Sequence, residues 1–287
     1  MQYYKTTKRS GMSFHGKTKY AVGKTIRKKR CADPKLYTSD VLHASEKALD
    51  ALGYAGTLDC NLYIVEGDPV VNDHNKSGFF SLKVIREIPD QAKDGIFGFK
   101  YHETLHPVDP STIESKVTDE DVSSLKAWAS VWDSVGASVW ASVWASVWDS
   151  VGASVRDSVG ASVRDSVWAS VWASVGASVG ASVRASVGAS VRDSVWASVW
   201  ASVWASVWAY CGSLFPEVKK WKYIDHEDGK YPFQPAVDLW KRGFIPVKLN
   251  GKWKLYHPVK GKPAILVYEE GVHICSDCLE KRNKGGA

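Results

Sequence analysis

The sequence predicts an α+β protein in which two small mixed domains flank a tetrapeptide-repeat array, and three observations carry that expectation. From Ala129 to Trp208 one four-residue phrase runs twenty times: Ala or Asp, then Ser, then Val, then Trp, Gly or Arg. Before it, short β-like runs enclose a single helical pattern. After it, an Asn250-Gly251 pair lies between two further β-like runs. The expected organisation is a small α+β domain over 1–106, a linker and repeat cap over 107–128, the array over 129–208, and a small β-rich module over 209–287.

In the first domain, Tyr3-Tyr4-Lys5 and Lys19-Tyr20-Ala21-Val22 read as strands, the second ended by Gly23. Ser45 to Gly53 reads as a helix: Ser45 is a good cap, Ala48, Leu49 and Leu52 are spaced to share a buried face, and Gly53 suits a left-handed stop. Leu62 to Glu66 is strand-like and is closed by Gly67-Asp68-Pro69. Phe79 to Ile88 is the longest β-like run and is closed by Pro89. The linker Pro107-Val108-Asp109-Pro110-Ser111 leads to Thr118 and Asp121, a capping-box pattern that starts a helix.

Two geometries compete for the array. As an α-helix, adjacent Ser and Val lie about 100° apart on one face, which separates the two constant positions from the two variable ones; a period of 4.0 then exceeds the helical 3.6, so this face winds in the right-handed, superhelical sense. As a β-strand, the array resembles a pentapeptide-repeat β-solenoid shortened by one residue, but the five Asp units would then share the Val side. Burying unpaired carboxylates costs several kcal/mol each, on the order of the values known for buried ions. The helical geometry is the expected one, although Val, Ser, Trp and six Gly are poor helix formers. Trp, Gly and Arg codons differ by single first-base changes, so the array reads as a DNA repeat expanded by slippage.

Beyond the array, Ala236 to Trp240 reads as a short helix. Asn250-Gly251 marks a hairpin between Val247-Lys248-Leu249 and Lys252 to Tyr256, and Ala264 to Tyr268 supplies a third strand.

Several of these strings resemble an uncharacterised family of bacteriophage and bacterial proteins. They are Tyr20-Ala21-Val22-Gly23-Lys24, the turn Leu42-His43-Ala44-Ser45, the helix end Ala48 to Leu52, Leu62 to Gly67, the tetrads, and the tail from Asp238-Leu239-Trp240 through Gly251 to His257. The family's turn carries a Gly where this chain has Val41. The resemblance implies a phage-like repeat protein resident in the host cytoplasm, and no particular activity.

Composition narrows the function classes. No apolar run approaches the ~20 residues needed to span a bilayer, so no membrane association is expected. Five scattered cysteines, an odd number, do not form a disulfide framework, which fits a reducing cytoplasmic setting. Neither a P-loop nor a Gly-x-Gly-x-x-Gly pattern occurs, and no cofactor is expected. The net charge is +6. Residues 1–35 hold eleven Lys or Arg against one acid, Asp33, and Arg27-Lys28-Lys29-Arg30 form a basic patch suited to nucleic acid or another acidic partner.

The primary expectation is a binding or assembly module acting through a protein partner or self-association. Trp140, Trp144, Trp148, Trp196, Trp200, Trp204 and Trp208 form the candidate binding ladder. The alternative is an enzyme handling a nucleotide or ADP-ribose. In it His43, beside a helix N-terminus, supplies a proton, Tyr63 a stacking face and Glu66 a carboxylate, loosely resembling ADP-ribosyltransferase sites. Cys275 and Cys278 are the metal candidates, half of a zinc knuckle with only His273 nearby, so that a closed site needs distant donors such as His257.

Overall fold

In Gln2–Thr7 (β1) Tyr3 is buried in the core, and Lys5, two residues on and so on the same side of the strand, is half-buried. In the computed structural model, residues 1–135, 145–147, 149, 192–221, 224, 226–260 and 262–272 are described. They belong to two compact units, one spanning Met1–Leu105 and one beginning at His106.

The first unit is built on a four-stranded antiparallel sheet in the order β1-β4-β7-β2. Its other members are Thr25–Arg27 (β2), Asn61–Glu66 (β4) and Ser81–Ile88 (β7). A second sheet, in the order β3-β6-β5, comprises Leu42–Ala44 (β3), Pro69–Asn72 (β5) and Ser77–Phe79 (β6). Phe79 is fully buried and meets Tyr3 edge-on at 4.8 Å, and Leu42, Val65, Leu82 and Val84 complete the core around them. Three short helices, Ala48–Gly53 (α1), Asp90–Phe97 (α2) and Tyr101–Leu105 (α3), accompany the sheets.

The strands expected at residues 3–5 and 62–66 are present, and the run 79–88 is split at Phe80 into β6 and β7. Three local expectations are corrected. Lys19 makes only an isolated bridge with Met12, and Tyr20 is buried in irregular backbone, its amide bonded to the Gly11 carbonyl at 2.8 Å, instead of in a strand. Ser45 does not cap α1, because its backbone is bonded reciprocally to Tyr4 at 2.7 and 2.9 Å; the helix starts three residues later with no side-chain cap. Gly53 is the last helical residue and is followed by Tyr54 in a right-handed conformation, so no left-handed stop forms.

An ion cluster around the buried Lys93 fastens α2 to the residue that precedes β4. The Lys93 side chain is 1% exposed and donates to the Asp90 carboxylate at 2.6 Å and to the Cys60 carbonyl at 2.7 Å. Arg9 holds the same Asp90 through two bonds of 3.0 and 2.9 Å and reaches Asp59 at 2.7 Å.

In the second unit Thr118 and Asp121 form the expected reciprocal cap at the start of Asp119–Val135 (α4). Asp121 accepts from the Thr118 amide and hydroxyl at 2.8 Å, and the Thr118 hydroxyl accepts the Asp121 amide at 3.4 Å. The described parts of the array are α-helical: its first units lie in α4, its last units in Arg192–Ser213 (α5), and residues 145–147 and 149 are helical as well. The remaining units lie outside the described residues. The α4 and α5 helices pack with Gln234–Lys241 (α6) and a three-stranded meander of Ile245–Leu249 (β8), Lys252–Val259 (β9) and Lys262–Glu269 (β10). The hairpin joining β8 to β9 turns at Asn250 and Gly251, with φ of +54° and +73°, as the Asn-Gly pair predicts.

At the end of α5 the constant positions are buried, together with Ala205 and Trp208 at variable positions, whereas Ser130 and Ser134 in α4 are exposed. Val199, Ser202, Val203, Ser206 and Val207 are all buried. Three Ser hydroxyls donate to the carbonyl of the Val three residues earlier, Ser134 to Val131 at 2.8 Å, Ser202 to Val199 at 2.9 Å and Ser206 to Val203 at 2.7 Å, whereas the buried Ser146 hydroxyl has no partner among the described residues. The local bond lets a polar residue face inward without a stranded donor. Ser202 also accepts the Lys248 amide of β8 at 3.1 Å. Aromatic contacts fill the remaining volume, with Trp128 edge-on to Phe233, Trp132 edge-on to Trp253, and Tyr210 stacked on Trp240.

Candidate anion-binding pocket

The first unit contains a small open pocket, with a cavity volume of about 80 Å³, where the end of β1 meets β3. Its polar lining comes from distant parts of the chain: Lys5 on β1, Ser13, His43 on β3, Tyr54 after α1, and Lys76 before β6. The pairing of β3 with β6, which sets His43 opposite Gly78, brings His43 and Lys76 to one rim. Gly78 is required there, because a Cβ would sit 2.7 Å from Val71 Cγ1 and 2.8 Å from Val41 Cγ2.

Charge is concentrated in this pocket. The Lys76 ammonium lies 3.4 Å from the Tyr54 ring centroid and 4.6 Å from that of Tyr37, and Lys5 lies 5.3 Å from that of Tyr20. Burial, with Lys76 nearby, pushes the Lys5 ammonium down to about 8, and burial also lowers Lys76 against the opposing pull of Asp73. Among the described residues that line the pocket, none is Asp or Glu. The Ser13 hydroxyl, on a residue 7% exposed, has no hydrogen-bond partner among the described residues.

His43 Nε2 accepts the Tyr37 amide at 3.0 Å, which assigns the proton of the neutral ring to Nδ1. Burial, then the charges of Lys5, Lys76 and Lys28, push the imidazole down to about 4. At neutral pH His43 is therefore an uncharged donor rather than a proton shuttle. The pocket offers two ammonium groups, a hydroxyl and an imidazole N–H, a donor set that suits an anion.

Of the three residues considered for catalysis, the structure brings only His43 to the pocket. His43 also lies on strand β3, five residues before α1, and not beside a helix N-terminus. Tyr63 is buried in the core, where its hydroxyl accepts from Asn61 Nδ2 at 3.2 Å. Glu66 is exposed at the end of β4, between Gln2 and Lys83. Lys5, Ser13 and Lys76 carried no sequence signal, since nothing but the fold relates them.

The basic residues Arg27, Lys29 and Arg30 are exposed and Lys28 is half-buried, along and just beyond edge strand β2. In the Trp ladder, Trp208 is 5% exposed within the second unit and Trp204 is half-buried; Trp196 and Trp200 lie on the α5 backbone. Trp140, Trp144 and Trp148, like His273, Cys275 and Cys278, lie outside the described residues. His257 Nδ1 lies 2.8 Å from the Gly243 carbonyl, and among the described residues no cluster of His, Cys, Asp and Glu could hold a metal. Among them, too, no helix is long and apolar enough to cross a membrane.

Comparison of the chain with protein-family models, with curated proteins and with solved structures gives no match.

Proposed function

We propose that this chain is a phage-type binding and assembly protein whose first unit captures an anionic, phosphate-bearing ligand in the Lys5, Lys76 and His43 pocket. The observation that carries the reading is the donor set: two ammonium groups and a buried Ser13 hydroxyl, which has no partner among the described residues, with no carboxylate among the described lining residues. Binding is favoured over turnover because His43 is neutral, its Nε2 is already bonded, and Tyr63 and Glu66 lie elsewhere.

Calorimetric titration of the full chain with pyrophosphate and with ADP-ribose tests the pocket. Saturable binding that weakens at least tenfold in Lys5→Gln and Lys76→Gln is expected. Absence of binding by both ligands, or binding indifferent to both substitutions, overturns the reading.

The array is the assembly element in this proposal, a helical framework packed through its Ser-Val face. Support comes from the buried Ser202, Val203, Ser206 and Val207 and from the helical backbone at both ends. Replacing Trp196 and Trp200 by Arg, a residue the array itself uses at that position, is expected to shift the sedimentation profile of the full chain toward smaller species. An unchanged profile at all concentrations refutes self-association through the ladder.

A further inference from the structure

We infer that the pocket is the terminal subsite of a longer groove for single-stranded nucleic acid, running from the basic residues Arg27 to Arg30 across the exposed ring of Tyr37. The inference rests on the pocket being an anion site and names the ligand class that it serves.

Backbone pairing makes the surface continuous. Beyond the last pair of β2 with β7, Arg27 with Ser81, the Lys28 amide donates to the Phe80 carbonyl at 2.7 Å. Phe80 is the single residue between β7 and β6, and β6 carries Gly78, the partner of His43. Lys28 is accordingly close enough for its charge to act on His43. No ion pair among the described residues engages Arg27, Lys28, Lys29 or Arg30, whereas Lys35 nearby is 3.8 Å from Asp33.

Tyr37 supplies the stacking platform. It is 60% exposed, an unusual state for so large a ring, yet it is held from several sides. Its amide bonds His43, its hydroxyl bonds Asp73, its ring stacks offset on the His43 ring at 6.4 Å and 29°, and the Lys76 ammonium sits over the Tyr37 ring itself, 4.6 Å from its centroid. Its backbone occupies the left-handed region, with φ of +65°, a conformation costly for a bulky side chain. These contacts fix an exposed aromatic ring beside the Lys76 cation. That combination recognises single strands, in which phosphates meet the cations and unpaired bases stack on the ring.

The experiment is fluorescence anisotropy of the full chain with a labelled oligothymidylate, over a range of salt, with linear inorganic polyphosphate as competitor. Changing all four residues Arg27 to Arg30 to Gln should flatten the plot of log affinity against log salt by about 2 to 3, at roughly 0.7 per lost phosphate contact. Tyr37→Leu should weaken the oligonucleotide roughly tenfold and leave polyphosphate binding unchanged, with Tyr37→Phe retaining affinity because the ring remains. The inference is overturned if the oligonucleotide does not bind, if polyphosphate of equal charge competes equally well, or if Tyr37→Leu binds like the parent. Should pyrophosphate still bind through Lys5 and Lys76 while the oligonucleotide fails, the groove is refuted and the anion pocket stands; should neither bind, both fall.

Discussion

Removing Asp90 should damage the first unit more than removing Lys93, and removing both should be better tolerated than removing Asp90 alone. Lys93 is 1% exposed, and its ammonium is held by Asp90 at 2.6 Å, by the Cys60 carbonyl at 2.7 Å and by the Tyr101 hydroxyl at 3.4 Å. In Asp90→Ala a buried cation loses its only carboxylate among the described residues, and stranding a buried charge costs about 3–5 kcal/mol. Lys93→Met keeps the packed stem and removes the charge. Asp90 then still has both Arg9 bonds, and the Cys60 carbonyl still accepts from Tyr101 at 3.3 Å, so the cost falls to about 1–2 kcal/mol. Adding Lys93→Met to Asp90→Ala should recover about 1–2 kcal/mol, because the unpaired cation disappears with it. All fourteen Trp lie at or beyond Trp128, so Trp fluorescence does not report on this unit. The assay is amide hydrogen exchange of Leu62 to Val65 in β4, whose slowest amides report the opening free energy of the unit. Additive losses, or a double variant less protected than Asp90→Ala, would refute the charge-stranding argument.

Other outcomes follow from the same geometry. Gly78→Ala should destabilise the first unit by about 1–3 kcal/mol through its clashes with Val71 and Val41, seen as lost protection across β6; wild-type protection would show that the sheets part easily. His43 should make the first unit less stable as pH falls from 6.5 to about 4, because the unfolded ring takes up a proton over that window and the folded ring resists it. Screening of the half-buried ring limits this to about 1 kcal/mol, and His43→Asn should flatten protection against pH there. Asp90, held low by Arg9 and Lys93 against its burial, adds stability that is complete above the ordinary carboxylate range and lost below it, so its acid loss should survive the His43 change. Ser202→Ala removes the acceptor of the Lys248 amide and should cost about 1–2 kcal/mol in a Trp-monitored melt of the second unit, where an unchanged midpoint would mean that the seam does not depend on that bond.

What the sequence made legible was local chemistry. Thr118 with Asp121, and Asn250 with Gly251, are cases in which a side chain or a permitted φ decides the backbone within four residues, and both formed as read. The missed elements are decided by partners far away. Leu42-His43-Ala44 looks like a turn until Gly78 is set beside it, and Pro69, read with Gly67 and Asp68 as a strand stop, opens β5 by pairing with β6. Ser45 had the right chemistry for a cap, but two backbone bonds to Tyr4 outcompeted that role. The pocket was legible only through His43. Lys5, Ser13 and Lys76 are ordinary residues made special by meeting one another, and no spacing rule reports a meeting that three strands arrange.

The bond from Ser202 to the Lys248 amide gives strand β8 an address written in the array's own alphabet. Every tetrad carries the same Ser and Val, so the sequence holds twenty copies of that address. A gain or loss of one tetrad moves a helix end by about 6 Å and about 40° and offers the strand an identical Ser-Val pair at the new position. Any other insertion replaces Ser and Val with residues of different size at the seam. A change of length by whole tetrads thereby keeps a Ser-Val pair in phase for the strand, and a change by any other number of residues does not.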